Sequence, residues 1–311
     1  MDILWNLLML ALGFVLLVKG ADWFVDGAAG IANKFKIPQL IIGLTIVAMG
    51  TSAPEAAVSI SAALKGSAEI TIGNIVGSNI LNILIILGLT AVITPVAVAK
   101  STIRVDIPFM LAISILLLVQ GLDGSVTLWD GIVLLVVFAG YLTYLVINAR
   151  KNPEQLEEEQ IKNQSIWMCL LWTAIGLVAI ILGSNFSVDA ASNIARILGL
   201  SERFIGLTIV ALGTSLPELV TSVMAARKGN ADIAIGNIVG SNIFNILFVV
   251  GLSSVIISVP FASAFIVDMI VAIGAGVLLW IFSLHKKKLI PIHGVVFLLA
   301  YAGYFAYLMM K

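Results

Sequence analysis

What this sequence has least of is charge. Only 11% of its 311 residues are Asp, Glu, Lys or Arg, the two signs cancel to a formal net charge of zero, and 60% of residues are hydrophobic. Soluble domains run nearer a quarter charged, and a water-facing surface of this composition would be largely apolar. The chain therefore belongs in a bilayer. The missing basic excess also excludes a nucleic-acid face, which needs clustered Lys and Arg. Cysteine is nearly absent: Cys169 stands alone, which excludes an intramolecular disulfide, a structural zinc cluster and a CxxC redox pair, and leaves it as a packing residue. The first apolar run, Ile3 to Val18, has no basic segment before it and no clear small-residue cleavage site after it. It is expected to be a first spanning helix and not a removable signal.

Apolar runs long enough to cross about 30 Å of hydrocarbon at about 1.5 Å per residue recur along the chain. They fall near residues 3–30, 38–64, 70–93, 105–121, 128–149, 165–195, 203–226, 233–258, 263–284 and 291–310. The expected fold is an all-α membrane protein of about ten transmembrane helices. Two stretches dominate it. Gly43 to Gly88 and Gly206 to Gly251 align without a gap at an offset of 163 residues, with 31 of 46 positions identical. The same offset pairs Gly13, Gly20 and Asp26 with Gly176, Gly183 and Asp189, and Gly131, Gly140 and Tyr144 with Gly294, Gly303 and Tyr307. The chain is thus a duplicated unit of five helices; residues 163 apart are called mates below.

An odd number of spans per unit makes the second copy start on the opposite side of the membrane, so the two five-helix repeats are expected to be inverted. That plan recurs in secondary transporters, whose binding sites lie at the midplane between the copies. The expected division is a first repeat over residues 1–150, a cytoplasmic linker over 151–164 and a second repeat over 165–311. Basic residues set the orientation. With both termini outside the cell membrane, inner loops carry Lys34, Lys36, Lys100, Arg104, Arg150, Lys151, Lys162, Arg227, Lys228, Lys286, Lys287 and Lys288, against Lys65, Arg196, Arg203 and Lys311 outside. Glu157, Glu158 and Glu159 in the linker lack the Asp and Gly spacing of a calcium loop and read as a solvated stretch.

Each copy sets polar groups inside apolar runs. In GTSAPE, Thr51, Ser52 and Glu55 share a helix face at three- and four-residue spacing, and Pro54 deprives the Gly50 carbonyl of its helical partner and kinks the segment. Thr214, Ser215, Pro217, Glu218 and the Gly213 carbonyl repeat this. In GNIVGSN, Asn74, Ser78 and Asn82 form one stripe, with Gly73 and Gly77 allowing close helix approach; Asn237, Ser241, Asn245, Gly236 and Gly240 are their mates. These are hard oxygen donors without His or Cys, suited to Na+ or Ca2+ and poorly to zinc or copper. A carboxylate at midmembrane is costly and reads as functional. Asn82 and Asn245 read as ligands, interhelical bonding being the alternative. Thr45 and Ser59 read as packing residues, His285 and His293 as interfacial, and Asp26 and Asp189 as caps or gating contacts.

The paired GTSAPE…GNIVGSNILN and GTSLPE…GNIVGSNIFN closely resemble the alpha-repeats of the sodium/calcium exchanger family, within the calcium/cation antiporters, and helix number and short central loop resemble its prokaryotic members. The resemblance implies Glu55 and Glu218 as acidic calcium ligands. It implies Thr51, Ser52, Thr214, Ser215, Ser78, Ser241 and the carbonyls of Ala48 and Ala211 as completing the calcium and sodium sites, with Asn82 and Asn245 facing their middle. Potassium-dependent relatives carry Asp where Asn245 stands, so no potassium requirement is expected. The resemblance further implies first and sixth helices that slide against the bundle, and a charge-carrying exchange if more than two Na+ move per Ca2+. The function expected is Na+/Ca2+ antiport, with Na+, Ca2+ and the lipid bilayer as partners and neither a cofactor nor an obligatory protein partner. A Ca2+/H+ antiporter is the alternative; a passive cation channel and an intramembrane enzyme built on a Glu55/Glu218 dyad are weaker readings.

Overall fold

The apolar runs fold as helices that break where proline, glycine or a charged turn interrupts them. The computed structural model describes residues 3–151, 165–199 and 211–310. The helices are α1 (Ile3–Phe35), α2 (Gln39–Thr51), α3 (Ala53–Leu64), α4 (Ile70–Ile93), α5 (Thr102–Gly121), α6 (Leu128–Lys151), α7 (Ile166–Ile197), α8 (Ala211–Thr214), α9 (Leu216–Arg227), α10 (Ala231–Ile256), α11 (Ala264–Leu284) and α12 (Pro291–Met310). Among the described residues, eight helices are long and apolar enough to cross a membrane, and nine spans result when α2 and α3, bent by 51°, count as one. The expected span at 203–226 falls partly, and the linker at 151–164 almost wholly, outside the described residues. Gly66 and Gly229, mates at φ 78° and 81°, end α3 and α9 with the left-handed turn that favours glycine.

Layering follows burial. α4 and α10 are the inner elements, whereas α1, α6, α7, α11 and α12 bare residues such as Leu4, Val15, Val136, Trp167 and Leu299. An exposed apolar belt of this extent suits lipid. α1 and α7 run antiparallel in close contact: a Cβ at Gly20 would lie 2.8 Å from the Ile180 nitrogen, and one at Gly183 2.7 Å from that of Leu17. Two short antiparallel pairings, β1 (Val96–Ala97) with β4 (Lys288–Leu289) and β2 (Ser125–Val126) with β3 (Val259–Pro260), join loops from the two halves of the sequence. Each pairing is the mate of the other, so the duplication is visible in tertiary contacts as well as in sequence.

Candidate functional site

Local sequence shapes each wall of the centre. Ser52 (φ −81°, ψ 7°) and Ser215 (φ −92°, ψ 4°) leave the helical region, and Pro54 and Pro217 then stand in the first turn of α3 and α9, where a missing N–H costs nothing. Glu55 and Glu218 follow at once and are each only 1% exposed. The helix thus breaks at the serine in both copies, and in the first the flanking helices meet at 51°. Asn74 braces the first copy, donating to the Glu55 carbonyl at 3.2 Å and to Ser59 Oγ at 2.9 Å; Asn237 does the same for the second, to the Glu218 carbonyl at 3.4 Å and Ser222 Oγ at 2.9 Å. Thr45 donates to the Ile41 carbonyl within its own helix, as a packing residue does.

The two copies meet through their hydroxyls. Ser52 donates to Glu218 Oε1 at 2.8 Å, and its mate Ser215 donates to Glu55 Oε1 at 3.5 Å. Thr51 donates to Asn237 Oδ1 at 3.0 Å and reaches the Ala48 carbonyl at 3.4 Å, where Ser241 also points from 3.4 Å. Thr214 is half-buried and engaged, and Ser78 is buried. Ala211 opens α8, and the surroundings of its side chain lie outside the described residues. On α4 and α10 the backbone widens to i+5 hydrogen bonding over Asn82–Leu87 and Asn245–Val250, each widening starting at the asparagine; such wide turns cluster at functional sites.

Among the described residues twelve buried side-chain oxygens are left without a hydrogen-bond partner, and four of them belong to the acids and asparagines of the repeated motifs: Glu55 Oε2, Glu218 Oε2, Asn82 Oδ1 and Asn245 Oδ1. Among the described residues, neither carboxylate is ion-paired to a Lys, Arg or His. Buried oxygens and charges are ordinarily satisfied, and these oxygens have the chemistry to accept a cation or, on the carboxyls, a proton.

Some expectations came out differently. The Gly213 carbonyl, expected to be free, accepts the Ser184 hydroxyl at 2.7 Å; the mate of Ser184 is Ala21, which has no hydroxyl to offer Gly50. Gly236 and Gly240 seat the backbone of α2, at Gly43 and Leu44, whereas nothing among the described residues comes within 4 Å of a Cβ at Gly77. Asn79 and Asn242, absent from the sequence-based site, lie beside Asn82 and Asn245 and bond across the halves. Their identity in both copies was the signal available.

The family profile described as "Sodium/calcium exchanger protein" matches twice, at residues 5–147 and 168–310. A putative antiporter, CaxA of Alkalimonas amylolytica, is 40% identical over 94% of this chain and 95% of its own. The sodium/calcium exchanger MaX1 of Methanosarcina acetivorans is 32% identical over 96% and 97%. A solved structure of the sodium-calcium exchanger NCX_Mj superposes with a TM-score of 0.87 at 35% identity, covering 99% of this chain and 100% of that one. With both halves matched and full-length relatives sharing the fold, the chain belongs to the sodium/calcium exchanger family.

Proposed function

We propose that the protein is a secondary antiporter that exchanges Na+ for Ca2+ across the cell membrane by alternating access, independently of K+ and with net charge movement. The observation that carries this reading is the set of four buried, unpartnered oxygens on Glu55, Glu218, Asn82 and Asn245. Oxygen ligands without nitrogen or sulfur suit Ca2+ and Na+. Glu55 and Glu218 supply the charge, and Thr51, Ser52, Thr214, Ser215, Ser78, Ser241 and the Ala48 and Ala211 carbonyls complete overlapping sites for the two ions. One Ca2+ or two Na+ neutralise the carboxylate pair. A further Na+ makes the exchange electrogenic, and neutral Asn245 leaves no extra negative charge for K+.

Exchange follows from the cost of an empty site. Two buried, unpaired carboxylates in low dielectric are strongly unfavourable, so the conformational change proceeds with cations bound and each ion leaves only as another arrives. We further propose ten spans in two inverted halves, 1–150 and 165–311, joined by a cytoplasmic linker at 151–164, with both termini outside. The basic-residue distribution and the mate-related contacts between the halves support this. In this scheme the α1–α7 pair slides past the kinked helices and opens the centre to either side in turn.

The test is Ca2+ uptake by proteoliposomes loaded with Na+, with K+ and membrane potential varied separately. Uptake that follows the outward Na+ gradient, needs no K+ and responds to an imposed potential is expected. Absence of Na+-driven uptake overturns the proposal; uptake under a pH gradient alone assigns proton coupling, and uptake needing no counterion assigns a channel.

A further inference from the structure

Four asparagines tie α4 to α10. Asn79 and Asn242 each donate to the other's backbone carbonyl, at 3.3 Å in both directions. Asn82 donates to Asn242 Oδ1 at 2.9 Å, and Asn245 donates to Asn79 Oδ1 at 3.1 Å. All four are at most 5% exposed.

The polarity of this clasp is forced. A backbone carbonyl only accepts, so the amide nitrogens of Asn79 and Asn242 are the ends that must face it. Their side-chain oxygens are thereby turned toward Asn245 and Asn82, which must answer with nitrogen. A primary amide presenting nitrogen on one side presents oxygen on the other, and these are the oxygens left unpartnered at the centre. We propose that Asn79 and Asn242 are positioning residues: they fix the amide orientation of Asn245 and Asn82 so that both offer oxygen, never an N–H dipole, to the transported cation. The proposal rests on the ion-exchange reading above. It adds that cation binding depends on two residues that do not face the cation.

A carboxylate has oxygen at both ends and needs no orienting, which gives a test by double-mutant cycle. Half-saturating Ca2+ for Na+-driven uptake is measured for wild type, Asn79→Ala, Asn245→Asp and the double variant. Loss of the orienting acceptor is expected to raise half-saturating Ca2+ roughly tenfold with Asn at 245, with the maximal rate within about twofold; with Asp at 245, whose carboxylate has no N–H to give Asn79 Oδ1, the same truncation is expected to leave half-saturating Ca2+ unchanged or lower it. The same factor in both backgrounds, or no effect of Asn79→Ala, overturns the proposal and leaves the clasp as packing. Should Asn79→Ala fail to fold, the mate cycle of Asn242→Ala with Asn82→Asp reads the same relationship. Failure of wild type to exchange would instead sink the function proposed above.

Discussion

The ammonium of Lys228 lies 2.7 Å from Asp26 Oδ1, joining the turn after α9 to α1; it also reaches Asp22 Oδ1 at 2.6 Å and the Asp22 carbonyl at 2.9 Å. Asp26 is thus a contact between the α1–α7 pair and the bundle. The mates are Lys65, Asn185 and Asp189, with one acid fewer, and Lys65 is exposed. The lock therefore differs between the two copies. Lys228→Met is expected to leave the fold intact, since such partly exposed pairs contribute about 1 kcal/mol or less. It should change the maximal exchange rate by roughly threefold, with Lys65→Met changing it less. Initial-rate kinetics on both variants checks the asymmetry.

Glu55→Gln and Glu218→Gln keep an acceptor for Ser215 and Ser52 and should keep the fold. On the proposed mechanism each removes half of the negative charge that neutralises Ca2+. Ca2+ uptake is expected to fall at least a hundredfold, the equivalent of about 3 kcal/mol, while thermal unfolding in detergent stays near wild type. Full transport by either variant would remove that residue from the site.

The two hydroxyl contacts to the carboxylates are unequal, 2.8 Å for Ser52 and 3.5 Å for Ser215. A hydrogen bond to a charged acceptor contributes about 1.5–3 kcal/mol at good geometry and much less when stretched. Ser52→Ala should therefore raise half-saturating Na+ or Ca2+ about tenfold and Ser215→Ala only about twofold. Concentration dependence of uptake separates them, and equal effects would contradict the ranking.

The α1–α7 seam tolerates no side chain at its crossing points. A Cβ at Gly176 would sit 2.5 Å from the Phe24 backbone nitrogen, whereas Gly140 and Gly303 have nothing within 4 Å among the described residues. Gly176→Val is expected to destabilise by about 1–3 kcal/mol and to slow exchange severely. Gly140→Val should do neither. Parallel unfolding and uptake measurements on the two variants decide it.

The centre was legible where chemistry conflicts with surroundings. Glu55 and Glu218 stand out because a carboxylate in an apolar run has no bland explanation, and Ser52 and Ser215 because they share its helix face. What sequence could not show was where each group points across the interface. Asn79 lies off the stripe formed by Asn74, Ser78 and Asn82, so its importance depends on how α4 crosses α10, a tertiary property. Ser184 is one of several polar residues on α7, beside Asn185 and Ser187, and only the packing of that helix on α8 singles it out by bringing it to the Gly213 carbonyl. The wide turns at Asn82 and Asn245 leave no trace in residue spacing. Two-residue strands are likewise too short for any alternation to register.

Those strands carry a last consequence. β1 with β4 and β2 with β3 rivet the α4–α5 loop to the α11–α12 loop and the α5–α6 loop to the α10–α11 loop, and every rivet crosses from one half of the sequence to the other. Among the described residues, α1 and α7 carry none. The riveted helices act as the frame in the proposed cycle, and the glycine-seamed α1–α7 pair, on the lipid-facing side of the bundle, is the bolt that runs along it. On the proposed cycle the protein has essentially one coordinate to travel along, so a single covalent pin between bolt and frame, placed anywhere along their contact, would stop both half-reactions at once.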